Sequence, residues 1–460
     1  MRIPRLLVAG TASGVGKTTV TVALTRALRA AGHRVAAFKC GPDYLDPTYH
    51  ARAAGRVSQN LDGWMMGRDA VLATFTRAAR DADVAIVEGM MGLFDGASPT
   101  SDEGSTAQIA KWLDAPVLLV VDAGGMARSI AAVAQGFGAF DRDLRVGGVI
   151  ANRVGGRAHL DLLRSALASP PILGGFPRDD AHAFPERHLG LLSADDGRVA
   201  EPLFDHWGSA ADVWCSIPAI FDLAKSAPAL TATVEDDRPP AAPRCRVGVA
   251  RDEAFHFYYA DNLARLEALG AELVPFSAVH DGVLPEVDGL YIGGGYPEAH
   301  AAALAENRSM RESVGAFAAE GHPVYAECGG LMYLTEAIVT RDGARHPMVG
   351  IVPSEARMCE TLQAIGYVEV ETRANTILGN AGARFRGHQF RYSELSPEPQ
   401  GVERVYALQR RSGGAAVLEG LRIGSVVASY VHAHWASNPS IAAAFVESCV
   451  RARAERRTAS

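Results

Sequence analysis

Residues that could do chemistry gather in two sets, one near the start of the chain and one in its second half. The first is Leu6-Leu7-Val8-Ala9-Gly10-Thr11-Ala12-Ser13-Gly14-Val15-Gly16-Lys17-Thr18-Thr19. An apolar strand runs into a glycine-rich turn, and a helical pattern through Val22, Leu24, Leu28 and Ala31 follows. Such a turn lets backbone N–H groups close on phosphate oxygens while Lys17 reaches the outer phosphates. Thr18 offers a hydroxyl to Mg²⁺, and the helix N-terminus adds positive potential. Thr11, Gly14, Val15, Gly16, Lys17, Thr18 and Thr19 are therefore expected to hold ATP or GTP. One letter departs from the strict pattern: Thr11 stands where the first glycine belongs, and Gly10 comes one residue earlier.

Acidic segments follow the next strands. Lys39-Cys40-Gly41-Pro42-Asp43-Tyr44-Leu45-Asp46-Pro47 comes after the second, and Val87-Glu88-Gly89-Met90-Met91-Gly92-Leu93-Phe94-Asp95-Gly96 after the third. Ligands of open α/β sheets sit outside the carboxyl ends of strands, so these carboxylates can converge on Mg²⁺ and a nucleotide. Thr18, Asp43, Asp46 and Glu88 form the expected metal set, with Asp95 a weaker member. Asn152-Arg153 ends a later strand and reads either as a nucleobase contact or as turn chemistry. Pro185–Gly190 could add to a base pocket, although its spacing does not show it.

The second set begins with Pro323-Val324-Tyr325-Ala326-Glu327-Cys328-Gly329-Gly330-Leu331-Met332, a strand, a sharp turn and a helix. Small residues around Cys328 allow a nucleophile elbow with cysteine in place of serine, and a thiol at a helix N-terminus should have a lowered pKa. Val427-Ala428-Ser429-Tyr430-Val431-His432-Ala433-His434 supplies two histidines on one side of an extended strand. His432 is the expected base and His434 its competitor. Ile292-Gly293-Gly294-Gly295-Tyr296-Pro297-Glu298 can turn backbone N–H groups toward an oxyanion. Phe255–Tyr259 reads as a core strand in preference to a wall of a large ligand pocket.

The elements that must position these residues follow from the apolar pattern. In the first half, continuous apolar runs at 34–40, 84–88, 116–122, 146–152 and 172–176 alternate with helical patterns at 70–79, 106–113, 129–140 and 160–168. Continuous runs suit strands covered on both faces. A second series of strands is expected at 246–250, 272–275, 289–292, 323–326, 367–371 and 424–430. Between the series, Glu235-Asp236-Asp237-Arg238 precedes Pro239, Pro240 and Pro243, which reads as an exposed linker. The expected organisation is two doubly wound α/β domains, 1–234 and 246–450, a linker at 235–245, and a fraying charged tail at 451–460.

With 460 residues, 48% of them hydrophobic, the chain can bury two sizeable cores. A formal charge of −7 with scattered basic residues disfavours nucleic acid. No apolar run is long enough for a membrane span, and no signal peptide fits before the first strand. Six cysteines without paired spacing suit reduced thiols in the cytoplasm.

The second domain resembles class I glutamine amidotransferases. The first is similar to dethiobiotin-synthetase-type P-loop ligases, whose loop reads Gly-Thr-x-x-x-Val-Gly-Lys-Thr, the letters found from Gly10 to Thr18. Their order resembles the cobyrinic acid a,c-diamide synthase family over nearly the whole chain, most specifically at 41–47, 88–96, 293–298, 327–331 and 429–432. The resemblance implies Mg²⁺-dependent use of ATP to activate carboxylates of a corrin polycarboxylate, with ammonia from glutamine through Cys328 and His432. A homodimer is compatible with it. One departure stands out: His434 occupies the place of the usual triad carboxylate, which leaves His432 without an evident orienting group. Two rival readings remain. One is a sister enzyme acting on another tetrapyrrole, such as nickel-sirohydrochlorin. The other is a partitioning-type ATPase, which would leave the second domain unexplained.

Overall fold

The computed structural model describes residues 2–179, 186–187, 190–191, 193–194, 199–230 and 242–459. The chain divides into two compact units, Met1–Asp236 and Asp237–Ser460. Most of the expected 235–245 linker lies outside the described residues, as do Pro185, His188 and Leu189.

The first unit is built on strands β1 (Arg5–Gly10), β2 (Val35–Cys40), β3 (Gln59–Leu61), β4 (Val84–Glu88), β5 (Val117–Asp122), β6 (Val146–Val154) and β7 (Ile172–Pro177). They form one sheet in the order β3-β2-β4-β1-β5-β6-β7, with every pair parallel. All residues of β1, β2 and β4 are buried, which is why their sequences are apolar without alternation. The connecting helices are α1 (Lys17–Ala30), α2 (Asp46–Ala54), α3 (Gly63–Ala78), α4 (Thr106–Trp112), α5 (Ser129–Phe140) and α6 (Arg157–Ala166), and α7 (Glu201–Trp214) and α8 (Ile217–Lys225) complete the unit. Leu24 and Leu28 of α1 share a core with Tyr49, Phe204, Trp207 and Ile220.

Two elements differ from the sequence expectation. The 41–47 segment read as a loop passes directly into α2. The Asp43 carboxylate accepts the N–H groups of Leu45 and Asp46, both at 2.9 Å, Pro47 sits in the first turn, and Gly55 closes the helix at φ 71°. Those are ordinary start and stop signals, but the helix between them is short and polar, so no apolar stripe announces it. Helix α3 starts earlier than expected: Asp62 caps it by accepting the Met65 N–H at 2.7 Å, and Gly67 (φ 76°, ψ 166°) breaks it before the regular stretch.

In the second unit five parallel strands run in the order Ala271–Phe276, Cys245–Ala250, Gly289–Ile292, Val324–Glu327 and Val426–Ser429. The sheet continues antiparallel through Val417–Ile423, Glu403–Arg410, Ala364–Thr372, Arg384–Arg391 and His432–His434. Helices cover both faces. Leu290 and Ile292 pack toward Leu304, Met310 and Val314, while Tyr291 between them packs toward Leu266, Phe445 and Trp435. The tail is not frayed. Helix Ser440–Ala459 runs through it, with Ala452 buried, Arg453 donating to the Arg244 carbonyl at 2.9 Å and Arg456 paired with Asp288. Among the described residues, no helix is long and apolar enough to cross a membrane.

Candidate functional site

In the first unit the strand order reverses around β1, so the carboxyl ends of β1, β2 and β4 open onto one crevice. Gly10 ends β1 where the chain folds back on itself. A Cβ there would stand 2.6 Å from Val15 Cγ2 and 3.1 Å from Lys17 Cδ, so the glycine one residue early is sterically required. Gly14 (φ 75°) and Gly16 (φ 93°) take the left-handed conformation that turns the loop into α1. The loop is held from outside: the Asn152 amide donates to the Val15 carbonyl at 2.8 Å, and Arg153 donates to the Gly14 carbonyl at 2.8 Å. Asn152 and Arg153, read either as a nucleobase contact or as turn chemistry, thus brace the phosphate loop from a neighbouring strand end. The Lys17 ammonium folds onto the Ala12 carbonyl at 3.1 Å. Burial, then the like charge of Lys39, lowers its pKa.

Three of the expected acidic and hydroxyl groups meet in this crevice. Thr18 Oγ1 donates to Glu88 Oε1 at 2.7 Å and lies 3.3 Å from Asp46 Oδ2. Two partners were missed in the sequence. Lys39 is paired with Glu88 across adjacent strands, and its Nζ stands 2.8 Å from Glu88 Oε1 and 2.6 Å from Asp46 Oδ2. His50, on α2, places Nε2 at 2.5 Å from Glu88 Oε2. Lys39, Asp46, His50 and Glu88 are all buried. Burial opposes the Lys39 charge, but Asp46, Glu88 and Asp43 together outweigh it and raise its pKa. Burial likewise opposes the Glu88 charge, and Lys39 and His50 nevertheless hold it well below the usual carboxylate range. Asp46 is pushed up to about 7 by burial and by Asp43. Asp43 itself uses Oδ1 to cap α2, and Asp95 accepts the Gly92 N–H at 3.0 Å. Among the described residues, no group of three or more His, Cys, Asp or Glu side chains is arranged to hold a metal ion. Oxygens of Thr18, Asp46 and Glu88, the last two around the Lys39 ammonium, are nevertheless the hard donors that Mg²⁺ takes when phosphates complete its shell.

In the second unit Cys328 sits at the turn between Val324–Glu327 and helix Gly329–Leu334 with φ 47°, ψ −99°. A non-glycine residue in that region is strained and is characteristic of functional turns. The turn needs both glycines after it: a Cβ on Gly330 would lie 2.2 Å from the Ile292 carbonyl, and one on Gly329 would lie 3.1 Å from the Gly295 nitrogen. The glycine run 293–295 is thus packed directly behind the elbow. Strand Phe255–Phe257 pairs with Gly294–Gly295, and buried Phe255 belongs to the core, as the core-strand reading of that segment has it. The oxyanion expectation narrows here, because the Gly293 N–H already donates to the Tyr258 hydroxyl at 2.8 Å.

His432 lies against this loop. A Cβ on Gly294 would stand 2.4 Å from its Cε1. The ring also stacks on His388, with centroids 5.0 Å apart and planes at 18°. His434 lies against Tyr259 at 4.5 Å, and its Nδ1 accepts the Ala436 N–H at 3.4 Å, so it caps a turn. Glu327 carries a different load. Tyr325 and the Ala433 N–H donate to Oε1 at 2.7 and 2.9 Å, and Tyr291 donates to Oε2 at 2.9 Å. Burial raises Glu327 to about 7 against those bonds.

The resting state of the thiol corrects the sequence expectation of a lowered pKa. Burial first, then Glu298, pushes Cys328 up to about 12, and the opposing pulls of the Gly329 N–H and Arg391 are smaller. A helix of six residues carries too little dipole to reverse that. Burial alone pushes His432 down to about 3, and it pushes His434 to about 4.

Two family models match the chain. Residues 6–191 match the "CobQ/CobB/MinD/ParA nucleotide binding domain" and residues 246–440 the "CobB/CobQ-like glutamine amidotransferase domain". A cobyrinate a,c-diamide synthase of Leptospira interrogans (strain Fiocruz L1-130) is 50% identical, the match covering 98% of this chain and 99% of that one. The chain belongs to the cobyrinate a,c-diamide synthase family. Members from Syntrophotalea carbinolica and Priestia megaterium are 49% and 42% identical, covering 98% and 99% of this chain and 99% of each relative. This family member is a carbon–nitrogen ligase that takes its amide nitrogen from glutamine, and it works in cobalamin biosynthesis.

Proposed function

We propose that the enzyme amidates the a and c carboxylates of cobyrinic acid, or of metal-free hydrogenobyrinic acid, through acyl phosphates, with ammonia released from glutamine. The observation that carries this reading is the pairing, in one chain, of a phosphate loop backed by buried carboxylates with a strained cysteine elbow packed on a glycine loop that His432 also touches. In the second unit Cys328 attacks the glutamine side-chain amide. His432 takes the thiol proton and passes it to the departing nitrogen, so ammonia leaves as the thioester forms, and water then frees glutamate. In the first unit the loop from Thr11 to Thr19 cradles ATP, and Lys17 neutralises charge on the outer phosphates as the γ-phosphoryl passes to a substrate carboxylate. Thr18, Asp46 and Glu88 would hold Mg²⁺, which supplies charge neutralisation between the phosphates when bound. Ammonia displaces phosphate from the acyl carbon to give the amide. Six free thiols and the supply of ATP and glutamine suit the cytoplasm.

The test is mass spectrometry of products from cobyrinic acid, hydrogenobyrinic acid and nickel-sirohydrochlorin, each with ATP, Mg²⁺ and glutamine or ammonium. Two amidations of a corrin are expected. Exclusive amidation of the nickel compound would replace the substrate assignment. Cys328→Ala should lose glutamine-driven amidation and keep the ammonium-driven reaction, whereas Lys17→Ala should lose both. Equal failure of Cys328→Ala with ammonium would sink the two-site reading.

A further inference from the structure

In the sequence His434 stands where the usual triad carboxylate belongs. We infer that His388, held by Tyr259, is the positioning residue that orients the His432 imidazole in its place. This rests on the reading of Cys328 and His432 as nucleophile and base.

His388 and His432 are direct partners across an antiparallel ladder, so their side chains emerge on the same face of the sheet. The rings stack at 5.0 Å and 18°, and Gly294 packs against Cε1 of the same imidazole. The imidazole thus touches both a ring and a loop. His388 is itself fixed: its Nδ1 lies 2.9 Å from the hydroxyl of buried Tyr259. Tyr259 begins helix Ala260–Ala268, whose Asn262 donates to the Ala433 carbonyl and accepts the Trp435 N–H, each at 2.8 Å. One helix therefore fixes both the histidine strand and the ring stacked upon it. The nearby acid Glu327 is directed elsewhere, to two tyrosines and the Ala433 N–H. Burial keeps His388 and His432 uncharged, so the stack carries no repulsion.

The experiment measures glutamine hydrolysis and ammonium-driven amidation for His388→Ala, His388→Phe and Tyr259→Phe in the full chain. His388→Ala should lower the hydrolytic kcat about 10²-fold, the effect of a roughly 1 Å misplacement, with KM unchanged. His388→Phe, which restores a stacking ring, should recover most of that loss. Tyr259→Phe should lower kcat several-fold at unchanged KM, and every variant should keep ammonium-driven amidation. Native kcat in His388→Ala or Tyr259→Phe overturns the inference. So does His388→Phe as impaired as His388→Ala, a loss that appears in KM, or a loss that extends to the ammonium reaction. Cys328→Ala run beside them separates this from failure of the underlying reading, because retained glutamine-driven amidation in that variant removes the thiol from the reaction altogether.

Discussion

Gly294→Ala isolates the fit of the base against its loop. The added Cβ would stand 2.4 Å from His432 Cε1, 3.2 Å from Nδ1 and 3.3 Å from Phe257 Cβ. Carbon–carbon contact needs roughly 3.5 Å, so the ring or the loop must give by about 1 Å. His388 blocks retreat in one direction, and the loop is tied by its pairing with Phe255–Phe257. Overpacking of this kind costs about 1–3 kcal/mol of stability, while a 1 Å displacement of a reacting group costs about 10²-fold in rate. Gly294 does not have the positive φ that penalises a side chain, so the effect is steric. The assay compares glutamine hydrolysis, ammonium-driven amidation and thermal unfolding with those of Gly282→Ala, a position with nothing within 4 Å of the added carbon. Hydrolysis should fall about 10²-fold in Gly294→Ala alone. Native hydrolysis in that variant, with the fold intact, would refute the placement of His432.

Lys39→Ala leaves buried Asp46 and Glu88 without their shared cation, which should cost about 3–5 kcal/mol; Mg²⁺ should raise the melting temperature of the variant more than that of the native protein, and equal shifts would argue against a cation site there. Glu327 has a folded pKa of about 7, above its ordinary 4.5, so its contribution to stability is complete below pH 4.5 and is lost as pH rises to 7. That loss amounts to about 3 kcal/mol, and denaturant titration should show a shallower fall over this window in Glu327→Gln; an unchanged slope would contradict the assignment. Cys328, at about 12, is almost wholly protonated at pH 7.5. Iodoacetamide should label it no faster than half-exposed Cys359 in the absence of glutamine, and rapid selective labelling would show a resting thiolate.

The parallel sheet of the first unit was legible because strands buried on both faces carry continuous apolar runs, as β1, β2 and β4 do apart from Arg5, Lys39 and Glu88. The elbow was legible because its glycines are local requirements of a tight turn. The groups that complete each site were not. Lys39 ends an apolar strand like any solvent-seeking lysine, and only its pairing with Glu88 turns it inward. His50 lies on a short polar helix with no periodic stripe. His388 meets His432 through a cross-strand register over 44 residues, which no local pattern encodes. Of the antiparallel half of the second sheet, the strand at 367–371 was legible and the others were hidden, since they mix exposed arginines with buried neighbours.

On the proposed mechanism, burial decides how the proton moves. Burial pushes the Cys328 thiol up and the His432 imidazole down, and both shifts disfavour a thiolate–imidazolium pair in the resting enzyme. The ion pair is therefore not a resting state that waits for substrate. Proton transfer must accompany formation of the carbon–sulfur bond, or follow a change in surroundings that glutamine brings as it fills the site. Either route demands that the imidazole be aligned before reaction, because no standing charge attraction draws it to the sulfur. A stacked ring and a glycine wall supply alignment without adding charge, which a carboxylate partner would not.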